Sequence, residues 1–236
     1  MRNAKKVLEE KMPWIVTVVF SDPLSVSNYR PDRASAFIFD DTALNIVDSQ
    51  KIRQNAKDAV LVLLSSNEFI QCSPPSVAQK RHPYAAKADL VFAYNNTDCA
   101  PNHIIASAVR AAEDLLNITK YSNARRFIFL VVDDEPRWFS QFLPVLYNII
   151  GQRADVMIAR TLEESLEFVF GVKRESEIDD EAYRSHGYGD DVICLISDIF
   201  FPKWNDLNST AGKDLIRLMR KYYPRIPIVV ASKTKE

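Results

Sequence analysis

The sequence predicts an α/β fold built as two parallel-sheet units. Three observations carry this. Short apolar, β-branched runs recur along the 236 residues, and most are near-continuously apolar rather than alternating, the mark of strands covered on both faces. Amphipathic segments with helical spacing separate them, so strand and helix alternate throughout. A polar tract, Asn117 to Arg126, follows one helix and precedes a fresh strand, dividing the chain into units of about 13–118 and 124–236.

The predicted strands are Trp14–Phe20, Ser35–Phe39, Ala59–Leu64 and Ala88–Tyr94 in the first unit. In the second they are Arg126–Val132, Asp155–Ala159, Val192–Ser197 and Ile226–Ala231. A helix is predicted from Ala100 to Asn117. Another follows Glu135, with Trp138, Phe139, Phe142, Leu146 and Ile149 at helical spacing, Pro144 as an internal conflict that predicts a kink, and Gly151 at its end. Thr161 followed by Glu164 is a capping-box pattern that opens the next helix. Glu163, Glu164 and Glu167 read as its solvated face. "AGKDLIRLMRKYY" repeats Leu215, Leu218 and Met219 on one face and stops before Pro224. The tract Gly171–Asp191 has few apolar residues and reads as a long, mobile insertion.

Bulk properties exclude several classes of function. The formal net charge is -1 and the isoelectric point is near 6.3, which gives no electrostatic case for nucleic acid or an anionic membrane. No apolar run reaches the ~20 residues of a membrane span, and the N-terminus lacks the pattern of a signal peptide. A cytoplasmic location is expected. The three cysteines are scattered and odd in number, which argues against a disulfide framework. Cys99 and His103 lie four apart but lack a second ligand pair.

The chemistry-bearing pattern is an apolar run that stops in acids. "FIFLVVDDEP" ends in Asp133, Asp134 and Glu135; "VICLISD" ends in Asp198; "IPIVVASK" ends in Ser232 and Lys233. In open α/β sheets ligands sit at the carboxyl ends of the strands, and parallel strands bring these ends to one edge. Like charges at close range raise one another's pKa, and a hard divalent cation removes that cost. Magnesium takes oxygen ligands, typically a few carboxylates plus phosphate oxygens, so the pattern points to a magnesium site with a carboxylate placed to attack a phosphoryl group. For Asp133 and Asp134 alone, exposed acids at a helix N-terminus would suffice; Asp198 and Ser232 on matching strand ends favour the metal or phosphoryl site.

Residues 124–236 resemble the receiver domain of two-component response regulators, through "LVVDDEP", "LISDIFFP" with Pro202 four residues after Asp198, and "AGKDLIRLMRKYYPRIPIVVAS". The resemblance implies two flavodoxin-like units, the first degenerate and the second lacking its last strand and helix in this chain. It implies Mg2+ held by Asp133, Asp134, Asp198 and the backbone carbonyl of Phe200. Asp198 would be the phosphoacceptor and Ser232 the switch hydroxyl. A histidine kinase or phosphotransfer protein would be the donor. Taken with "ARTLEESLEFVF" and the receiver-like first unit, the chain also resembles the tandem N-terminal region of phosphoenolpyruvate synthase-related proteins, which implies an attached catalytic part as the regulated target.

The sequence departs from the receiver pattern at two places. The family places a lysine at the end of a fifth strand, and Lys233 and Lys235 are not in that position. The first unit lacks an acidic pair: Asp22, Asp40 and Asp41 do not form one. These departures support a rival reading, a non-phosphorylated pseudo-receiver scaffold. An exposed fourth strand invites pairing with another chain, including a homodimer partner. A third reading, a magnesium-dependent phosphohydrolase, normally needs a second carboxylate two residues after the nucleophile, where this chain has Phe200.

Overall fold

The computed structural model describes residues 2–13, 34–46, 52–54, 56–94, 100–120, 127–180, 182–183, 186–204, 206 and 210–231. The predicted strand Trp14–Phe20, Cys99, Ser232 and Lys233 lie outside the described residues. The chain forms two compact units, one from Met1–Ser122 with Pro136–Ile150, the other from Asn123–Glu135 with Gly151–Glu236.

In chain order the first unit contains helix α1 (Arg2–Lys11), strand β1 (Ala36–Asp40), helix α2 (Asp41–Ile46), strand β2 (Val60–Ser65), short helices α3 (Glu68–Gln71) and α4 (Pro75–Arg81), strand β3 (Leu90–Ala93) and helix α5 (Pro101–Thr119). Its sheet is parallel in the order β1-β2-β3. All six residues of the middle strand β2 are buried, which is why its sequence is apolar without alternation. Phe37, Phe39, Leu61, Leu63, Ile70 and Val91 form its core. Helix α1, to which the sequence reading assigned no element, packs on α5 and buries Leu8.

The second unit contains β4 (Ile128–Val132), β5 (Asp155–Ala159), helix α7 (Leu162–Phe170), β6 (Val192–Ser197), helix α8 (Ala211–Tyr222) and β7 (Ile228–Val230). Its four strands are parallel in the order β5-β4-β6-β7. The central strand β4 pairs with both β5 and β6 and buries Ile128, Leu130, Val131 and Val132.

Helix α6 (Pro136–Ile150) departs from the sequence reading, which placed it in the second unit. It packs on β3 and α5 of the first. The physical reason is its apolar stripe. Phe139 and Leu143 are fully buried, and the Phe139 ring meets Phe92 edge-on at 5.8 Å between centroids. Ser140, also buried, accepts a hydrogen bond from the Ala93 amide at 3.0 Å. Ile149, expected on the stripe, is 64% exposed. Pro144 lies within the helix, where it donates no hydrogen bond to the preceding turn.

The segment 171–191 also corrects the sequence reading, since its described residues are tied to the second unit's core. Tyr188 stacks on Phe168, with ring centroids 5.2 Å apart, and its amide donates to the Phe168 carbonyl. Tyr183 packs against Tyr222 and Tyr223. Asp180 accepts hydrogen bonds from Tyr222 and Lys221, and Arg217 pairs with Glu175. Gly187 fits so closely that an added Cβ would lie 2.2 Å from the Val169 carbonyl oxygen. Aromatic packing by a few tyrosines holds a tract whose overall composition is polar.

Candidate functional site

The parallel register of the second sheet builds a row of residues one step beyond the strands. Val132 is level with Ala159 on one side and Ser197 on the other, and Ser197 is level with Val230. The ladder continues past each strand end. The Asp133 amide donates to the Ala159 carbonyl (3.1 Å), the Asp198 amide to the Val132 carbonyl (2.8 Å) and the Ala231 amide to the Ser197 carbonyl (2.9 Å). Asp133 and Asp198 are therefore neighbours at the carboxyl edge, with Arg160 after β5 and Ala231 after β7 beside them.

Asp133 and Asp134 are buried, at 4% and 6% exposure, which is unusual for carboxylates. Burial pushes the Asp133 carboxyl up to about 8, and the charges of Asp134, Asp198 and Glu135 add to the rise. A hydrogen bond from the Glu135 amide to Asp133 Oδ1, 2.9 Å, opposes it. Burial likewise raises Asp134 to about 7, with Glu135 and Asp198 adding and Arg160 opposing. Asp198 is half-buried, and its Oδ1 accepts from the Ile199 amide at 2.6 Å.

Three residues that the sequence reading did not single out shape this edge. Arg160 donates from Nη2 to the Asp134 carbonyl at 2.7 Å and places positive charge beside both acids. Its own pKa is lowered by burial, against the pull of Glu164, Asp134 and Asp133. Its signal was available, because Arg160 follows an apolar strand just as Asp133 does. Gly212, in the first turn of α8, lies so close to the loop that an added Cβ would sit 2.2 Å from the Asp198 carbonyl oxygen. The buried Ser197 hydroxyl donates to that same carbonyl at 2.6 Å. Nothing in "ISD" or "TAGKD" announces either contact.

The loop after Asp198 is fastened to the start of α7. Thr161 caps that helix, accepting from the Glu164 amide, while the Glu164 carboxylate accepts from the Arg160 amide at 2.7 Å. The Thr161 half of the predicted capping box forms, whereas the Glu164 carboxylate takes the amide of Arg160, one residue before the cap, and not that of Thr161. Glu163 accepts from the Trp204 amide at 2.7 Å, and the Leu162 amide donates to the Pro202 carbonyl. Glu163 and Glu164 therefore hold backbone in place, and Glu167, exposed and paired with Lys173, keeps the predicted solvated role. Lys203, in the same loop, pairs with Asp214 of α8 at 2.6 Å.

The sheet brings Asp133, Asp134 and Asp198 to one edge, with Phe200 in the adjoining loop. The donor set is all oxygen and rich in crowded carboxylates, which fits a hard divalent cation. Among the described residues, however, no group of three or more His, Cys, Asp or Glu side chains stands ready to hold a metal. Asp133 and Asp198 each turn one oxygen to a nearby backbone amide. Comparison with known proteins gives no matching family model, no matching curated protein and no matching solved structure.

Proposed function

We propose that the second unit is a flavodoxin-like receiver module for phosphorelay signal transduction, and that Asp198 is its phosphoacceptor. The observation that carries this reading is the parallel order β5-β4-β6-β7, which sets Asp133 and Asp198 side by side at the carboxyl edge. That order matches the first four strands of the flavodoxin-like arrangement. The first unit's order, β1-β2-β3, suits the last three strands of a degenerate copy.

In this reading an Asp198 carboxylate oxygen attacks the phosphorus of a donor such as a phosphohistidine or an acyl phosphate. The bond from phosphorus to the donor's leaving atom breaks, its electron pair leaves with that atom, and an acyl phosphate forms on Asp198. Bound Mg2+ supplies charge neutralisation of the phosphoryl oxygens. Asp133, Asp134, Asp198 and the Phe200 carbonyl would hold it, and Ser232 would receive the phosphoryl group. Arg160 fixes the 133–135 loop by its carbonyl and contributes the positive charge that two buried acids require. Partners in this reading are a histidine kinase or phosphotransfer protein and, as target, an attached phosphoenolpyruvate synthase-like catalytic part or another chain.

A second reading, a scaffold that is never phosphorylated, is favoured by the amide-bound state of Asp133 and Asp198. Incubation with acetyl phosphate and Mg2+, read by intact mass, separates the two. A phosphoryl-sized gain in wild type that disappears in Asp198→Ala is expected. A folded protein that gains no mass and binds no Mg2+ overturns the phosphoacceptor reading and leaves the scaffold.

A further inference from the structure

Trp204 sits in a backbone conformation that its side chain disfavours. Lys203 and Asp206 exchange both backbone hydrogen bonds, 3.0 Å each, and close a tight turn in which Trp204 directly follows Lys203. Its φ is +54°, and among the described residues no other non-glycine residue has a positive φ. Turns of this kind take glycine, asparagine or aspartate at such a position, because a Cβ there crowds a neighbouring carbonyl. A bulky aromatic is the unfavourable choice. Nor does it fill a core, since Trp204 is 49% exposed. A strained residue persists only where its surroundings hold it. Here the Trp204 amide donates to Glu163 at 2.7 Å, the Leu162 amide donates to the Pro202 carbonyl, and Lys203 pairs with Asp214.

The Trp204 side chain forms one wall of an open cleft of about 640 Å³, lined also by Arg174, Glu175 and Ser176. All four residues belong to the second unit. The volume lies in the range of small-molecule sites, roughly 300–1,000 Å³. The Arg174 guanidinium lies over the indole, 5.1 Å from the ring centroid. The two charges of the cleft are not equally matched. Glu175 is neutralised by Arg217, whose Nη2 reaches both of its oxygens at 2.8 and 3.0 Å. Arg174 meets a carboxylate among the described residues only at Glu177, 3.9 Å away, too long for a hydrogen bond, and its side chain is 63% exposed. The cleft therefore offers a flat aromatic face, a guanidinium with donors to spare and the Ser176 hydroxyl.

We propose that this cleft binds a small molecule that carries a flat aromatic ring and a phosphate group, the chemistry of a mononucleotide. The ring stacks on Trp204, and the phosphate pairs with Arg174 and accepts from the Ser176 hydroxyl. A guanidinium suits this place because it both lies flat on aromatic faces and forks onto phosphate oxygens. One cation serves one phosphate, whereas the net charge of -1 offers no field for a polynucleotide backbone. The strained turn then has a purpose, since it holds the indole where a ring can stack on it. The proposal does not depend on the phosphoacceptor reading.

Titration of the full chain with adenosine monophosphate, followed by NMR of the tryptophan indole and backbone amide signals, tests this. The Trp204 indole, assigned by its absence in Trp204→Phe, and the Ser176 amide should shift, while the Trp14 and Trp138 indoles stay in place. Adenosine and inorganic phosphate, each carrying one half of the proposed chemistry, should bind about tenfold more weakly, the ratio expected for losing one charged hydrogen bond or one stacking contact. Arg174→Gln should weaken adenosine monophosphate by the same factor. Trp204→Asn, whose side chain suits the turn, should abolish the Ser176 response with the melting temperature unchanged or raised, which separates lost binding from lost fold. A lower melting temperature in that variant would mean that packing keeps Trp204 in place, and overturns the proposal. The absence of any shift at Trp204 and Ser176 up to about 10 mM ligand, weaker than a contact set of this kind gives, overturns it too. Adenosine that binds as well as its monophosphate, or an Arg174→Gln chain that binds as wild type does, leaves a stacking surface without phosphate recognition and has the same consequence.

Discussion

At the scale of single residues, Asp133 and Asp134 each contribute a pH dependence to stability. Their folded pKa values, about 8 and about 7, lie above the ordinary 3.8 because burial disfavours the charged form. The sign follows from proton counting. Between about pH 4 and about pH 8 the folded chain retains protons that the unfolded chain has released, so stability is greatest at the low end and is lost as pH rises through that window. The melting temperature of metal-free protein from these two groups should therefore fall between pH 5 and pH 8, and Asp133→Asn should flatten the slope. On the proposed magnesium reading, Mg2+ raises the melting temperature more at pH 8 than at pH 6, where the cation must displace protons. Differential scanning calorimetry across this range checks both; a slope of opposite sign in metal-free protein would show that the acids are not held as described.

At the scale of elements, the docking of α8 depends on a missing side chain. Gly212 donates its amide to the Ile199 carbonyl at 3.1 Å, and its Cα faces the backbone of Asp198 and Ile199. A methyl group there would meet a carbonyl oxygen at 2.2 Å and the Ile199 Cα at 2.7 Å. Both are backbone atoms, so no rotamer change relieves the contact. Gly212→Ala, despite alanine's better helix propensity, should destabilise the protein by about 1–3 kcal/mol, the usual cost of overpacking. Urea denaturation monitored by tryptophan fluorescence gives the value, and an unchanged midpoint would contradict the close approach. The same substitution should disturb Asp198, because α8 closely approaches the backbone of Asp198 and Ile199 at Gly212.

At the scale of the whole molecule, the chain visits the first unit twice. Residues 1–122 supply its sheet and α5, and 136–150 return to cover β3 and α5. A fragment ending at Ser122 lacks Phe139, Leu143 and the Tyr147 hydroxyl, and so uncovers Phe92 and removes a partner of the buried Asp114. Such a fragment should melt without a cooperative transition and bind the dye ANS, the behaviour of a chain that has lost specific packing. Adding the peptide 136–150 should restore cooperativity. A fragment 1–122 that melts sharply on its own would show α6 to be dispensable.

Continuous apolar runs were sufficient to locate β2, β4, β5 and β6 to within a residue or two, because strands covered on both faces leave no alternation to misread. The acids after β4 and β6 were legible for the same reason: a charge at the end of an apolar run has few places to go but the sheet edge. Thr161 and Glu164 announced a helix start through local chemistry alone. What the sequence by itself determined is therefore whatever depends on neighbours in the chain: strand, cap and the acids at strand ends. Only the tertiary structure decided which core α6 fills, since the contacts that place it are with Phe92, Ala93 and Asp114, more than twenty residues away. It alone decided that 171–191 is anchored by a few tyrosines, that Gly212 abuts Asp198, and that Arg160 grips the Asp134 carbonyl. Each of these is a contact between distant segments, and no local propensity or periodicity encodes such a contact.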